Sequence, residues 1–298
     1  MNGALKHVAA GAGCAAAAAV LWGTAGTAQS FVSAGGPDPF WVGALRLFFS
    51  GVFFSPILVK GTFPASTRSS VFEARTLRFI LMAAVSMVIY NFAFFAGVRM
   101  SGIAVGSAVT LGSAPIWAGI FAIAAGRRFA WGWMAGVACA VAGGLMMAAN
   151  SSAGINPEGL AFCLTAGFSY AAYAEATQRI VAGRAAGVLT GAIFVGAAML
   201  SLPLALFLNP FPQMSGVDWM VVAYLGIVTT GVAYALFSQA LKRISAASAV
   251  ALTLLEPVTA FVAARFVAGE PTGWASLCGL VLILAGLAAI LRSEVRAH

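Results

Sequence analysis

Apolar residues in this chain come in long unbroken blocks, and short stretches rich in Gly, Pro, Asn and charge separate them. A helix needs roughly 20 apolar residues to cross the hydrocarbon of a bilayer. The blocks predict spans near 13–32, 39–59, 77–98, 103–125, 132–149, 157–180, 188–208, 217–240, 246–267 and 273–291. No alternation in period two marks them as barrel strands, so the backbone groups must be satisfied within helices. Connections such as Gly35-Gly36-Pro37-Asp38-Pro39 and Asn209-Pro210-Phe211-Pro212 are too short to hold a soluble domain. The expected fold is therefore all-α and integral to the membrane, with ten transmembrane helices.

Composition agrees. The chain is 61% hydrophobic and only 8% charged, against about 25% charged in a soluble domain. The start, Met1 to Lys6 with an Ala-rich run behind it, has the outline of a cleavable signal, and Gly11-Ala12-Gly13-Cys14 that of a lipoprotein box without its Leu. Apolar sequence continues to Val32, so the first block reads as an uncleaved span. Cys14, Cys139, Cys163 and Cys278 lie singly inside apolar blocks and read as small packing residues rather than a disulfide or metal set.

Charge orients the spans. Lysine and arginine stay on the cytoplasmic side. With both termini cytoplasmic, Lys6, Lys60, Arg68, Arg75, Arg78, Arg127, Arg128, Arg179, Arg184, Lys242, Arg243, Arg292 and Arg296 fall inside. Arg99 and Arg265 fall outside with Asp38, Glu158, Asp218 and Glu270, and Arg46 lies within a span. This bias accounts for the net charge of +8 without nucleic acid as a partner. Trp41, Trp131, Trp133, Trp219 and Trp274 stand at span starts, where indole rings favour the headgroup level.

The two halves, 1–150 and 151–298, correspond in order. Arg99-Met100-Ser101 matches Arg243-Ile244-Ser245, Tyr90 matches Tyr234, Pro115 matches Pro257, and Trp22-Gly23 stands where Tyr170-Ala171 stands. Five spans per half is an odd number, so the second copy enters the membrane upside down. Inverted repeats place a site near the midplane between the halves, which predicts two inverted five-helix repeats around a central cavity.

Leu21-Trp22-Gly23, Pro39 with Arg46, Leu255-Glu256-Pro257, Gly269-Glu270-Pro271, and the endings Ala142-Gly143-Gly144 and Ala285-Gly286 resemble the drug/metabolite transporter superfamily, EamA type. The resemblance runs over nearly the whole chain. It departs at Gly112-Ser113-Ala114-Pro115, which lacks the carboxylate that Glu256 supplies in the second half. The resemblance implies a ten-helix secondary transporter of the bacterial inner membrane. It also implies export of small amphiphilic metabolites, amino acids including aromatic ones among them, by alternating access. Other metabolites or drug-like cations are the alternative cargo, and a channel or receptor the alternative class.

Candidate residues follow from depth. Glu256 lies about 15 Å into its span at 1.5 Å per residue, near the midplane. An ionisable group there reads as functional: it either holds a substrate ammonium, loads a proton, or pairs structurally beside Pro257. Arg46 lies about 10 Å below the outer surface. It either meets a substrate carboxylate or snorkels outward to an acid, and is read as structural or gating together with Pro115 and Pro257. Trp22, Tyr90, Phe94, Trp117, Tyr170 and Tyr173 fall at middle depth with Asn91, Ser113, Thr229 and Thr230. An aromatic wall with a few polar groups suits a small amphiphile, and packing between helices is the competing reading for each ring. Glu175 and Arg179 have the spacing of an ordinary helix ion pair. Gly102-x3-Gly106, Gly132-x3-Gly136 and Gly187-x3-Gly191 fit close helix approach within one chain or between two. The expected state is a monomer or weak homodimer.

Enzyme chemistry finds little to work with. His7 and His298 are the only histidines and lie at the ends, no aspartate sits in the interior of a span, and no Walker motif is present. No enzyme activity and no cofactor are expected. Only Arg46 offers a central cation, so a multiply anionic substrate is disfavoured and a zwitterionic or cationic one fits better.

Overall fold

A computed structural model describes residues 2–29, 31–33, 36–59, 73–128, 130–148, 156–182, 185–266 and 273–297. Lys60, Arg68, Arg184 and Gly269-Glu270-Pro271 lie outside them. Among the described residues the regular elements are all helical. In chain order they are α1 (Asn2–Gly23), α2 (Ala25–Gln29), α3 (Pro39–Val59), α4 (Ala74–Ser101), α5 (Ile103–Ala124), α6 (Trp131–Ala148), α7 (Pro157–Val181) and α8 (Ala186–Leu208). Then come α9 (Gly216–Gly226), a π segment (Ile227–Val232), α10 (Ala233–Leu241), α11 (Ala246–Leu252), a 3-10 turn (Thr253–Leu255), α12 (Glu256–Phe266) and α13 (Trp274–Ala297).

Among the described residues seven helical stretches are long and apolar enough to cross a membrane: Lys6–Gln29, Pro39–Val59, Ala74–Ser101, Val105–Ala124, Ala186–Leu208, Gly216–Leu241 and Trp274–Arg296. Trp131–Met147 and Ala246–Val262 are apolar but shorter. Helix α7 is long enough, yet it carries Glu158, Glu175 and Arg179. Its Glu175–Arg179 pair forms at 3.0 Å, as the spacing predicts.

Helices gain no hydrophobic drive from packing on one another in lipid, so close contact depends on small residues. The main packed pairs are α4 with α7, α6 with α13, α3 with α8, α5 with α7, and α1 with α10 and α12. A glycine marks each crossing. Gly97 abuts Cys163, Gly167 abuts Ser113, Gly51 abuts Ala198, and Gly23 abuts Thr259. The α6–α13 crossing is the tightest. A Cβ at Gly136 would stand 2.8 Å from the Gly286 carbonyl oxygen, and one at Gly143 would stand 2.5 Å from that of Gly279. In the three sequence-predicted glycine pairs, Gly106, Gly136 and Gly191 meet a neighbour in this way, whereas a Cβ at Gly132 or Gly187 would meet nothing within 4 Å. Gly102 serves otherwise: at φ 80° it makes the one-residue turn from α4 to α5, in a backbone region that glycine reaches without cost.

Three sequence expectations are corrected. The first span starts earlier than residue 13 and breaks before 32, because the Thr24 hydroxyl and amide both bond the Leu21 carbonyl, at 2.6 and 3.2 Å, and turn the chain into α2. The ninth span is interrupted by the 3-10 turn just ahead of Pro257, which lacks the N–H that a continuous helix would use. Trp41 and Trp133, at the starts of α3 and α6, are buried within the bundle rather than presented to headgroups. Their indole nitrogens donate to Pro210 O at 2.9 Å and Ser248 Oγ at 3.1 Å.

Replacing Gly143 or Gly286 with Leu is expected to force α6 and α13 apart and to destabilise the fold by about 1–3 kcal/mol, the usual cost of overpacking. Gly13→Leu, where a new side chain meets nothing within 4 Å, should be silent. Thermal unfolding in detergent checks both.

Candidate functional site

The two interrupted helices face the same space. A cavity of about 470 Å³ lies in the half of the bundle remote from the chain termini. Irregular backbone at membrane depth is tolerated where it lines such a space. Trp22, Gly23 and α2 border it from the α1 break, and Thr253, Glu256 and Pro257 border it from the 3-10 turn.

Arg46 enters from α3 and is buried. The π segment positions it. There the hydroxyl of Thr230 donates to the Leu225 carbonyl five residues back, at 2.8 Å, and accepts from Arg46 Nε at 3.0 Å. Gly226 and Gly231 let this segment lie directly against α3, at Phe49 and Phe53. Arg46 therefore does not snorkel away to an acid: among the described residues no ion pair holds it, and the acid at the start of its own helix, Asp38, pairs with Arg99 at 3.3 Å. Glu256 opens α12, where the positive end of the helix dipole favours a carboxylate, and Pro257 is tolerated because the first-turn N–H has no partner to lose. Arg46 and Glu256 thus line one cavity, and among the described residues no ion pair joins them.

Aromatic rings complete the lining. Trp22 lies 4.9 Å from Tyr234 and 6.1 Å from Tyr170, and Tyr90 lies 5.5 Å from Tyr170. Of the sequence-predicted residues, Trp22, Arg46, Tyr90, Phe94, Tyr170, Glu256 and Pro257 line the cavity. The others stand elsewhere. Asn91 bonds the Met87 carbonyl at 2.8 Å and packs on Gly43 of α3. Ser113 bonds the Thr110 carbonyl at 3.1 Å against Gly167. Trp117 packs edge-on to Phe168 on the flank of the bundle, and Pro115 is buried within a continuous α5. Tyr173 sits behind the wall, between Phe194 and Tyr234, and Thr230 acts through Arg46. Tyr234, Thr253 and Gln29 are lining residues that sequence reasoning passed over; the correspondence of Tyr234 with Tyr90 was the signal for the first.

A polar cluster joins the helices at the end of the bundle nearer the termini. Glu294 of α13 accepts from Ser245 N at 2.7 Å, from Ser245 Oγ at 3.0 Å and from Ser248 Oγ. Trp133 of α6 donates to the same Ser248 hydroxyl. Gln178 of α7 donates to Ile244 O at 2.7 Å and accepts from Ala246 N at 3.0 Å. Four helices are thereby tied together at the start of α11.

The profile of the EamA-like transporter family matches residues 9–149 and again residues 157–292. The chain belongs to this family of membrane transporters. It is 31% identical over 290 residues to a Bacillus subtilis (strain 168) protein described as the uncharacterized transporter YwfM, covering 92% of this chain and 90% of that one. A solved crystal structure superposes with a TM-score of 0.82 at 20% identity, over 97% of this chain and 99% of the other, which shows a shared fold. An EamA-like chain of this kind is a multi-pass membrane transporter rather than an enzyme.

Removing the Glu294 carboxylate with Glu294→Ala leaves one N–H and two hydroxyls without their acceptor. The expected loss is about 2–3 kcal/mol, the size of a hydrogen bond to a charged group, read as a lower unfolding midpoint in detergent.

Proposed function

We propose that this chain is a secondary transporter that exports amino acids by alternating access, built as two inverted five-helix repeats. One observation carries the substrate reading: a guanidinium from the first half and a carboxylate from the second line one cavity without pairing. Opposite charges held apart in a low-dielectric wall complement a zwitterion. The substrate carboxylate would meet Arg46 and its ammonium Glu256, with the rings of Trp22, Tyr90, Tyr170 and Tyr234 closing around it.

The helix pairings support the repeat. Exchanging the halves carries the α3–α8 and α6–α13 contacts onto themselves, α4–α7 onto α1–α10, and α5–α7 onto α1 with α11 and α12. The glycine crossing obeys the same exchange, Gly136 on Gly286 becoming Gly279 on Gly143. The family profile also matches twice, once in each half. In this reading the chain crosses the bacterial inner membrane ten times with both termini cytoplasmic. The cavity then faces outward, and the Glu294 cluster is the inner closure that must open for loading. The working unit is a monomer or weak homodimer.

In liposomes holding the purified protein, uptake of labelled amino acids is expected to be saturable. Arg46→Met and Glu256→Gln should each reduce it about 30-fold, the equivalent of ~2 kcal/mol for one charge-assisted hydrogen bond. Saturable transport of another metabolite with none of any amino acid would remove the substrate assignment. An imposed pH gradient in the same assay addresses coupling, and an unchanged pH response in Glu256→Gln would exclude that carboxylate as the proton carrier.

A further inference from the structure

We propose that the wall of the cavity formed by α5, α6 and α13 is the subsite for the substrate's side chain, and that Gly144 sets the largest side chain it admits. The inference rests on the amino-acid reading above. Arg46 and Tyr90 reach the cavity from α3 and α4, whereas the wall in question presents Ala108, Leu111, Gly144 and Met147, with the hydroxyls of Ser107 and Ser276 and no charge. One cavity thus offers a charged, ring-lined face and an apolar face, the division expected for a zwitterion carrying an apolar side chain.

Two adjacent glycines of α6 separate packing from volume. Gly143 is pressed against α13, where a Cβ would stand 2.5 Å from the Gly279 carbonyl oxygen. Gly144, one residue on and turned by about 100°, has nothing within 4 Å of its would-be Cβ, and it lines the cavity. No neighbouring helix requires a glycine there. The missing side chain leaves space in the cavity, and any larger residue at 144 takes that space from the ligand. Gly144 is accordingly a specificity residue, a role the sequence motif Ala142-Gly143-Gly144 does not distinguish from helix packing.

The test compares labelled phenylalanine with labelled alanine in liposomes bearing wild type, Gly144→Leu, Gly144→Ala or Gly13→Leu. Gly144→Leu is expected to lower the phenylalanine-to-alanine uptake ratio by about tenfold or more, the discrimination available to an apolar pocket. Gly144→Ala should shift the ratio the same way by less, and Gly13→Leu, on an exposed face away from the cavity, should leave it unchanged. An unchanged ratio in the Gly144 variants, or an equal fall for both substrates, overturns the subsite while leaving amino-acid transport in place. If Gly144→Leu does not fold, Gly144→Ala decides alone, since its ratio must still move. A wild-type protein that carries no amino acid overturns the reading beneath the inference, and that result is visible before any variant is compared.

Discussion

Lipid tails are as apolar as leucine, so helices in a bilayer adhere only where their backbones come close. That constraint organises this molecule. The α6–α13 pair meets at four glycines, Gly136, Gly143, Gly279 and Gly286, spaced seven residues apart on each helix, so that the backbones approach at two successive levels two turns apart. Similar contacts at Gly97, Gly167, Gly51 and Gly23 hold the remaining crossings. Ile283, Ile290 and Met147 pack against these glycines, and a group of aromatic side chains is buried between the seams. This group runs from Trp22 through Tyr170 and Tyr234 to Phe194.

Departures from regular helix occur where chemistry is needed. The chain turns at Thr24, widens to a π segment at Ile227–Val232 and tightens to a 3-10 turn at Thr253–Leu255. The first and last of these border the cavity directly, and the π segment reaches it by aiming Thr230 at Arg46. Each irregularity is locally satisfied. Threonine hydroxyls add bonds to backbone carbonyls at these points, as Thr24 does with Leu21, Thr229 and Thr230 with Leu225, and Thr253 with Val250. Hydroxyl side chains thus hold non-helical backbone in a medium that supplies no water.

Helix existence and approximate position were legible in the sequence, because a long apolar block has few alternatives in a membrane. Breaks inside blocks were not. Thr24 and Thr253 look like ordinary small residues until their hydroxyls are seen to bond backbone carbonyls. Depth along a span was readable as well, and it nominated Glu256, Trp22, Tyr90 and Tyr170, which the fold brings to one cavity. Direction around the helix was weaker. With apolar residues on all faces there is no polar stripe to fix rotation, so Asn91, Ser113 and Trp117 share the right depth and point elsewhere. The buried carboxylate of Glu294 was missed because it lies near the chain end, where a charge reads as solvated; only the fold shows it capping another helix's start.

The correspondence of Pro115 with Pro257 sets Ala114 opposite Glu256. One helix of the pair, α5, runs straight through its proline, while the other breaks ahead of it and exposes a charge. The two matched prolines therefore stand in helices of different shape and different charge. A cavity with true twofold character would receive a dipolar guest in two equivalent poses. Among the described residues Glu256 is the one carboxylate lining this cavity, so its field favours one pose, and a guest turned end for end meets the carboxylate with its own negative group.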